Sequence, residues 1–113
     1  MDARVKLRIG TADMAGPEDA LLIEGAGGVP DGAVHARFVL PEGTAHGISC
    51  ACCLPRGPVA EALSGLFLQR VRGEVRFFSG IVAVPAGESG EAAIRAALRD
   101  DPMVSARFRL TCG

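Results

Sequence analysis

The sequence predicts an α/β fold: a single small domain in which a mostly parallel or mixed sheet is covered by two main helices. Its 113 residues, 49% of them hydrophobic, suffice for one hydrophobic core but not for two. Stretches in which apolar and polar residues alternate, typical of strands, occur in both halves of the chain. The second half is predicted to run helix, strand, helix, strand, an order that favours parallel pairing through right-handed crossovers. We therefore expect one α/β domain over residues 1–113, with a strand- and loop-rich part at 1–46 and a helix-rich part at 47–113.

The first half is expected to contain strands joined by turns. Residues 5–9, VKLRI, alternate apolar and charged side chains and predict a half-buried strand. Residues 10–19 contain two glycines and a proline and predict a turn. The apolar run 20–23, ALLI, fits either a buried strand or one helical turn. Glu24 follows it, and a carboxylate at the end of a strand often lies near a site. After a glycine-rich loop, alternation over 34–40 predicts another strand.

A helix and a buried strand are expected in the middle of the chain. Pro58 suits the first helical position, and apolar residues then recur along one face as far as Val71. Gly73 is well placed to end this helix. The apolar run 77–84, FFSGIVAV, fits a buried strand.

The last part of the chain is predicted to add one helix and one strand. Ser89 can cap a helix that extends to about Arg99, and Pro102 is expected to stop it. Alternation over 103–110 predicts the final strand.

Composition and charge exclude several classes of partner. The formal net charge of −1 argues against nucleic acid, which requires a concentrated basic face, although arginines 70, 72 and 76 form a stripe able to bind an anion. No stretch approaches the roughly 18 apolar residues of a membrane span. The opening residues carry mixed charges and no apolar run follows, so we expect no secretory signal and a cytoplasmic location. Thiols stay reduced in that compartment, so clustered cysteines indicate metal ligands or reactive groups.

Three of the four cysteines, Cys50, Cys52 and Cys53, lie within four consecutive positions. Thiolates are soft ligands, and Zn²⁺ is commonly held tetrahedrally by Cys and His. The helix expected after them offers its positive end, which lowers the pKa of a thiol and favours the thiolate. The cluster therefore predicts a metal site in which a turn of the backbone brings the three sulfurs together.

A closed tetrahedral site needs a fourth ligand. His46, four residues before Cys50, is our candidate. The alternatives are His35, Glu42, Cys112, water or a residue of a partner, although His35 is expected to face solvent. Two other interpretations stay open at this point: Cys50 forms a redox disulfide with Cys52 or Cys53, or the cysteines are small buried hydrophobic residues.

Residues 49–53, SCACC, with Arg56 and Glu61-Ala-Leu63 after them, resemble the GCxCC…R…L..AL segment of CobW-like metallochaperone GTPases. The strand expected at 78–84 stands where that family has the strand bearing VVxETTG. The similarity covers about residues 47–110, and the cysteine motif is its specific part. The resemblance implies part of a P-loop GTPase fold, with the three cysteines as ligands of a transition metal, zinc or cobalt.

The nucleotide machinery of that family has no counterpart in this sequence. No G-x-x-x-x-G-K-[ST] loop and no N-K-x-D motif occur, and Val84 stands at the position of the acidic residue in ETTG. The chain is therefore expected to be a short, degenerate relative that binds Zn²⁺ or Co²⁺ without hydrolysing GTP, and not an enzyme.

Three functions fit these observations, and they differ in their partners. The first is a metal-handling accessory, whose partners are the metal ion and a metalloprotein client. The second is an interaction module that pairs with a full-length CobW-like GTPase or with a second copy of itself. The third is a thiol redox protein that uses residues 50–53.

Overall fold

The structure is a computed structural model that describes residues 4–29, 32–40 and 57–111. Within these residues, five strands form one wholly parallel sheet, and three α-helices pack against it. The elements are β1 (Val5–Ile9), β2 (Asp19–Glu24), β3 (His35–Phe38), α1 (Pro58–Arg72), β4 (Gly80–Val84), α2 (Glu88–Asp100), α3 (Pro102–Arg107) and β5 (Phe108–Leu110), with a short 3-10 turn, Ala12–Met14, after β1. The predicted α/β class is confirmed.

The spatial order of the strands is β3-β2-β4-β1-β5, so β4 is the central strand. Two connections, β1 to β2 and β2 to β3, lead the chain toward the β3 edge. The other two, β3 to β4 and β4 to β5, lead it toward the β5 edge. Right-handed crossovers place connections that run in opposite directions on opposite faces of a sheet. All three helices belong to the second pair of connections, and they share one face of the sheet.

The helix-covered face holds the main hydrophobic core. Alternate residues of each strand point into it, as Val5 and Leu7 of β1 do beside Ile81 and Ala83 of β4. The helices contribute the side chains of one stripe each, among them Leu63, Leu66, Ile94, Leu98 and Val104. The buried part of this face extends from Phe38 of β3 to Phe108 of β5.

The opposite face carries a smaller apolar cluster and, among the described residues, no α-helix. Leu21, Ile23 and Val82 form it, covered by the small side chains of the turn after β1 and of the loop after β2. Arg8 holds that turn in place, because its Nη2 donates to Oδ2 of Asp19 at 3.2 Å and to the carbonyl of Met14 at 3.0 Å. A thin layer of loop therefore completes this side of β2 and β4.

The long helix agrees with its local sequence signals. It begins at Pro58, as predicted, and ends when Gly73 adopts a left-handed conformation with φ 73°. Glycine accepts that conformation without the penalty that a Cβ would add. The run 20–23, whose sequence fits either a strand or a helical turn, lies within β2.

The predicted strand over 77–84 is confirmed only in its second part, because β4 begins at Gly80. The carbonyl of Phe78 accepts a hydrogen bond from Nε of Arg70 at 2.8 Å and is thereby directed away from the sheet. Phe77 is 64% exposed, whereas Phe78 is buried in the core. The apolar run thus contains a turn residue, a core residue and then the strand.

The predicted last strand over 103–110 is wrong for most of its length. Residues 102–107 form α3, and only Phe108–Leu110 pair with β1. The side chain of Asp101 accepts hydrogen bonds from the backbone N–H groups of Met103 and Val104, which caps the new helix. Pro102, expected to stop a helix, occupies the first position of this one. The predicted cap at Ser89 is also wrong, because Gly87 is the N-cap of α2.

Asp101→Ala should lower the free energy of unfolding by about 1 kcal/mol, because α3 loses its capping carboxylate. The measurement is urea denaturation followed by circular dichroism. Asp100→Ala is the matched control: this exposed neighbour pairs with Arg99 at the surface and lies at the carboxyl end of α2, where a negative charge is unfavourable. Equal losses in the two variants would contradict the capping role.

Candidate functional site

The carboxyl edge of the parallel sheet is the expected place for a ligand-binding site. In open parallel sheets, ligands bind outside the carboxyl ends of strands, where neighbouring connections leave toward opposite faces. Here β2 and β4 are neighbours, and their outgoing connections lie on opposite faces. The last residue of β2 is Glu24, so the predicted carboxylate stands at this crevice.

The chain itself fills the crevice between β2 and β4. Oε1 of Glu24 accepts a hydrogen bond from the backbone N–H of Ala86 at 2.7 Å, one residue before the N-cap of α2. The same carboxylate lies so close to Gly90 that a Cβ there would overlap Oε1 and stand 2.7 Å from Cδ. A negative charge at the amino end of a helix is favourable. The place that an external anion would take at α2 is thus held by Glu24.

A second hollow opens at the amino end of α1. It has a volume of about 470 Å³ and is walled mostly by small apolar residues of α1 and α2, with the α2–α3 junction closing one side. Its lining consists of Gly57, Pro58, Val59, Ala60, Ala93, Ala96, Ala97, Asp100, Asp101 and Pro102. Gly57 is the N-cap of α1 and supplies no side-chain hydrogen bond, so the first-turn amides of this helix lack that partner.

Two carboxylates lie at this hollow, and they differ in their tasks. Asp101 is engaged in capping α3. Asp100 accepts hydrogen bonds from Nε and Nη2 of Arg99 at 3.0 and 3.1 Å. These bonds lower the pKa of Asp100 and raise the pKa of Arg99. Asp100 is therefore an ionised, exposed carboxylate beside the start of α1.

The predicted metal ligands Cys50, Cys52, Cys53 and His46 lie outside the described residues, as do Glu42 and Cys112. Within residues 4–29, 32–40 and 57–111 there is no group of three or more His, Cys, Asp or Glu side chains arranged to hold a metal ion. Residues 41–56 connect the carboxyl end of β3 to Gly57, which lines the hollow at α1. In the sequence the cysteine motif therefore lies between β3 and α1, with three residues between Cys53 and Gly57.

His35 is exposed, as predicted. It is the first residue of β3, so it stands at the amino edge of the sheet, whereas residues 41–56 follow the opposite end of that strand. A ring nitrogen of His35 lies 3.1 Å from the carbonyl oxygen of Ala33. This position makes His35 a poorer candidate for the fourth ligand than His46.

The predicted arginine stripe is largely engaged with the protein. The guanidinium of Arg70 stacks on the ring of Phe77, 4.4 Å from its centroid, while its Nε bonds the carbonyl of Phe78. Arg72 lies 3.7 Å from Glu74. Arg70 therefore holds the turn between α1 and β4 and is a structural residue first.

Sequence reasoning missed the contact of Glu24 with α2 and the hollow beside α1. The contact of Glu24 with α2 left one signal in the sequence. Gly90 stands inside a helical pattern, where glycine is unfavourable unless another group approaches the backbone closely. The hollow had no such signal in the sequence, because it arises from the packing of three helices.

No helix of the described residues is long and apolar enough to cross a membrane.

Comparison with known proteins found no relative of this chain. No protein-family model matches the chain, and searches of the curated proteins and of the solved structures found no significant match. The CobW-like resemblance of residues 47–110 therefore stays a prediction drawn from the sequence.

Gly90→Ala should change the free energy of unfolding by less than about 1 kcal/mol, because the carboxylate of Glu24 must move and lose its hydrogen bond to the N–H of Ala86, and this loss offsets the gain in helix propensity. When Glu24→Ala is also present no carboxylate has to move, so Gly90→Ala should then stabilise the protein by up to the full gain of about 1 kcal/mol. Urea denaturation of the single and double variants measures both effects. The control is Gly65→Ala at low protein concentration, since Gly65 of α1 has open space around it and alanine should stabilise the helix there. The same effect of Gly90→Ala with and without Glu24→Ala would show that the two positions are uncoupled.

Proposed function

We propose that this protein binds a transition metal ion, zinc or cobalt, through the thiolates of Cys50, Cys52 and Cys53. The observation that carries the proposal is the Cys-Ala-Cys-Cys spacing directly ahead of α1. Thiolates select Zn²⁺ and similar soft or borderline ions over Mg²⁺ and Ca²⁺. Three cysteines within four positions provide most of a tetrahedral coordination shell from one segment.

The position of α1 supports thiolate chemistry at this segment. Only three residues, Leu54, Pro55 and Arg56, separate Cys53 from Gly57, the N-cap of the helix. The amino end of a helix carries a partial positive charge, and it lowers the pKa of nearby thiols. Because α1 is anchored in the core through Val59 and Leu63, this end of the helix is a fixed element beside the motif.

His46 is our candidate for the fourth ligand, with Glu42, Cys112, water or a residue of a partner as the alternatives. A site that holds three thiolates and an exchangeable fourth position suits an ion that is passed on, whereas four protein ligands suit a permanent structural ion. The proposed role is that of a metal-handling accessory, related to CobW-like metallochaperones and serving a metalloprotein client or a full-length GTPase of that kind.

We infer that the chain does not hydrolyse nucleotide. The sequence has no G-x-x-x-x-G-K-[ST] motif, which in P-loop proteins connects a strand directly to a helix. Here β1 is followed by the three-residue 3-10 turn Ala12–Met14. In addition, the amino end of α2 is occupied by the carboxylate of Glu24, which disfavours a phosphate at that place.

Full-length protein purified with reductant should take up about one equivalent of Zn²⁺ or Co²⁺, and the Co²⁺ form should show thiolate charge-transfer absorption. The triple variant Cys50→Ser/Cys52→Ser/Cys53→Ser should lose both properties. Cys112→Ser removes the one cysteine outside the cluster, and it should retain both properties if His46 and not Cys112 is the fourth ligand. Metal content by mass spectrometry and the absorption spectrum of the Co²⁺ form are the readouts.

Affinity should fall as the pH is lowered, because the metal binds thiolates and protons compete for them. For each thiol that is protonated in the free protein, about a tenfold loss of affinity per pH unit is expected. Equal metal content in the native chain and the triple variant would refute the proposal. Loss of two free thiols on mild oxidation, without any metal uptake, would favour the redox alternative.

A further inference from the structure

The outer face of α1 carries a stripe of four exposed residues, Glu61, Gly65, Leu68 and Arg72. They are four, three and four positions apart, so at about 100° per residue they lie on one line along the helix. This line is opposite the buried positions Val59, Leu63 and Leu66, and it points away from the core. The stripe is therefore a surface that the described part of the chain leaves uncovered.

Two residues of this stripe bear on what could cover it. Leu68 is an apolar residue that is 42% exposed, and Val71, which flanks the stripe, is 64% exposed. Gly65 is in mid-helix, where glycine is less favourable than alanine. Its φ is not positive, and a Cβ there would meet no other described atom within 4 Å. The fold of the described residues thus does not require glycine at this position, and a close approach from outside would.

The order of the four residues is self-complementary. The midpoint between Glu61 and Arg72 is also the midpoint between Gly65 and Leu68. A second α1 that runs in the opposite direction therefore places its Arg72 opposite Glu61 and its Leu68 opposite Gly65. Two copies of α1 packed antiparallel about a two-fold axis at that midpoint would set an acidic residue opposite a basic one at both ends. At the centre, each leucine would face the gap left by the glycine of the other helix. An isologous contact has this form, in which the same patch serves both subunits.

We propose that α1 mediates self-association of this protein as an antiparallel helix pair. Glu61 of each copy pairs with Arg72 of the second copy, and Leu68 packs over the Gly65 backbone of the second copy. Because the acidic end of the stripe meets the basic end when a second α1 runs antiparallel to it, a second copy is the occupant that the charges favour.

The intramolecular contacts of the stripe do not oppose this pairing. Arg72 lies 3.7 Å from Glu74, but both side chains are more than half exposed, and such a surface pair contributes little. One pair of short helices would bury less than the roughly 1,200 Å² at the low end of standard interfaces. Because its ion pairs are also exposed, we expect a dimer that forms only at high protein concentration, with a dissociation constant of about 1 μM or higher.

Charge reversal separates this contact from other modes of association. Glu61→Arg and Arg72→Glu should each weaken self-association about tenfold or more, because two attractive pairs per dimer become repulsive. An equimolar mixture of the two variants should associate again, since Arg at 61 of one chain then meets Glu at 72 of the other. Sedimentation equilibrium up to about 1 mM protein, with a chelator present to exclude metal bridges, measures the dissociation constants.

Arg76→Glu is the matched control, because it makes the same charge change at an exposed residue beyond the end of α1 and should leave the dissociation constant unchanged. Gly65→Gln should abolish association by filling the central gap, and circular dichroism must show that the helix is retained. A native chain that stays monomeric at the highest concentration would overturn the proposal. So would a mixture that fails to restore association, or a dimer unaffected by Gly65→Gln.

Discussion

The parallel pairing of β4 with both β1 and β2 is the constraint on which the structure depends. Lys6 to Ile9 of β1 pair with Gly80 to Ala83, and Asp19 to Ile23 of β2 pair with Gly80 to Val84. With β4 at the centre, the later connections must run toward one edge and the earlier ones toward the other. Right-handedness then assigns all three helices to one face and the short loops to the opposite face. The asymmetry of the two hydrophobic clusters follows from strand order.

The same constraint positions the features that bear on function. Because β2 and β4 send their connections to opposite faces, a crevice forms between their ends, and the chain fills it with its own carboxylate at Glu24. The amino end of α1 stands apart from that crevice, at a hollow shared with α2 and α3. The amino end of α2 thus already has a carboxylate beside it, whereas the amino end of α1 follows the cysteine motif by a few residues in the sequence. This difference supports the proposal that a metal binds ahead of α1 and not at α2.

Local signals predicted the elements that local interactions form. Pro58 and Gly73 bracket α1 within one residue, because a first-turn proline and a left-handed glycine act through the adjacent backbone alone. The alternation at 103–110 failed, because Asp101 and Pro102 together begin a helix and that capping outweighs the apolar pattern. Strand order could not be predicted, since it depends on contacts between distant parts of the chain. For the same reason the contact of Glu24 with Gly90 left only an indirect trace, and the metal ligands remain a prediction from spacing.

The placement of β1 has a consequence for how the chain acquires its structure. This strand lies between β4 and β5, and its first residue, Val5, pairs with Phe108. Both partners are encoded far downstream, so closing these ladders requires very long loops and contacts of high sequence separation. During synthesis β1 is made before both of its partners, and it cannot pair until Gly80–Ala83 of β4 has been made. Until then its apolar side chains are open to chaperones and to aggregation.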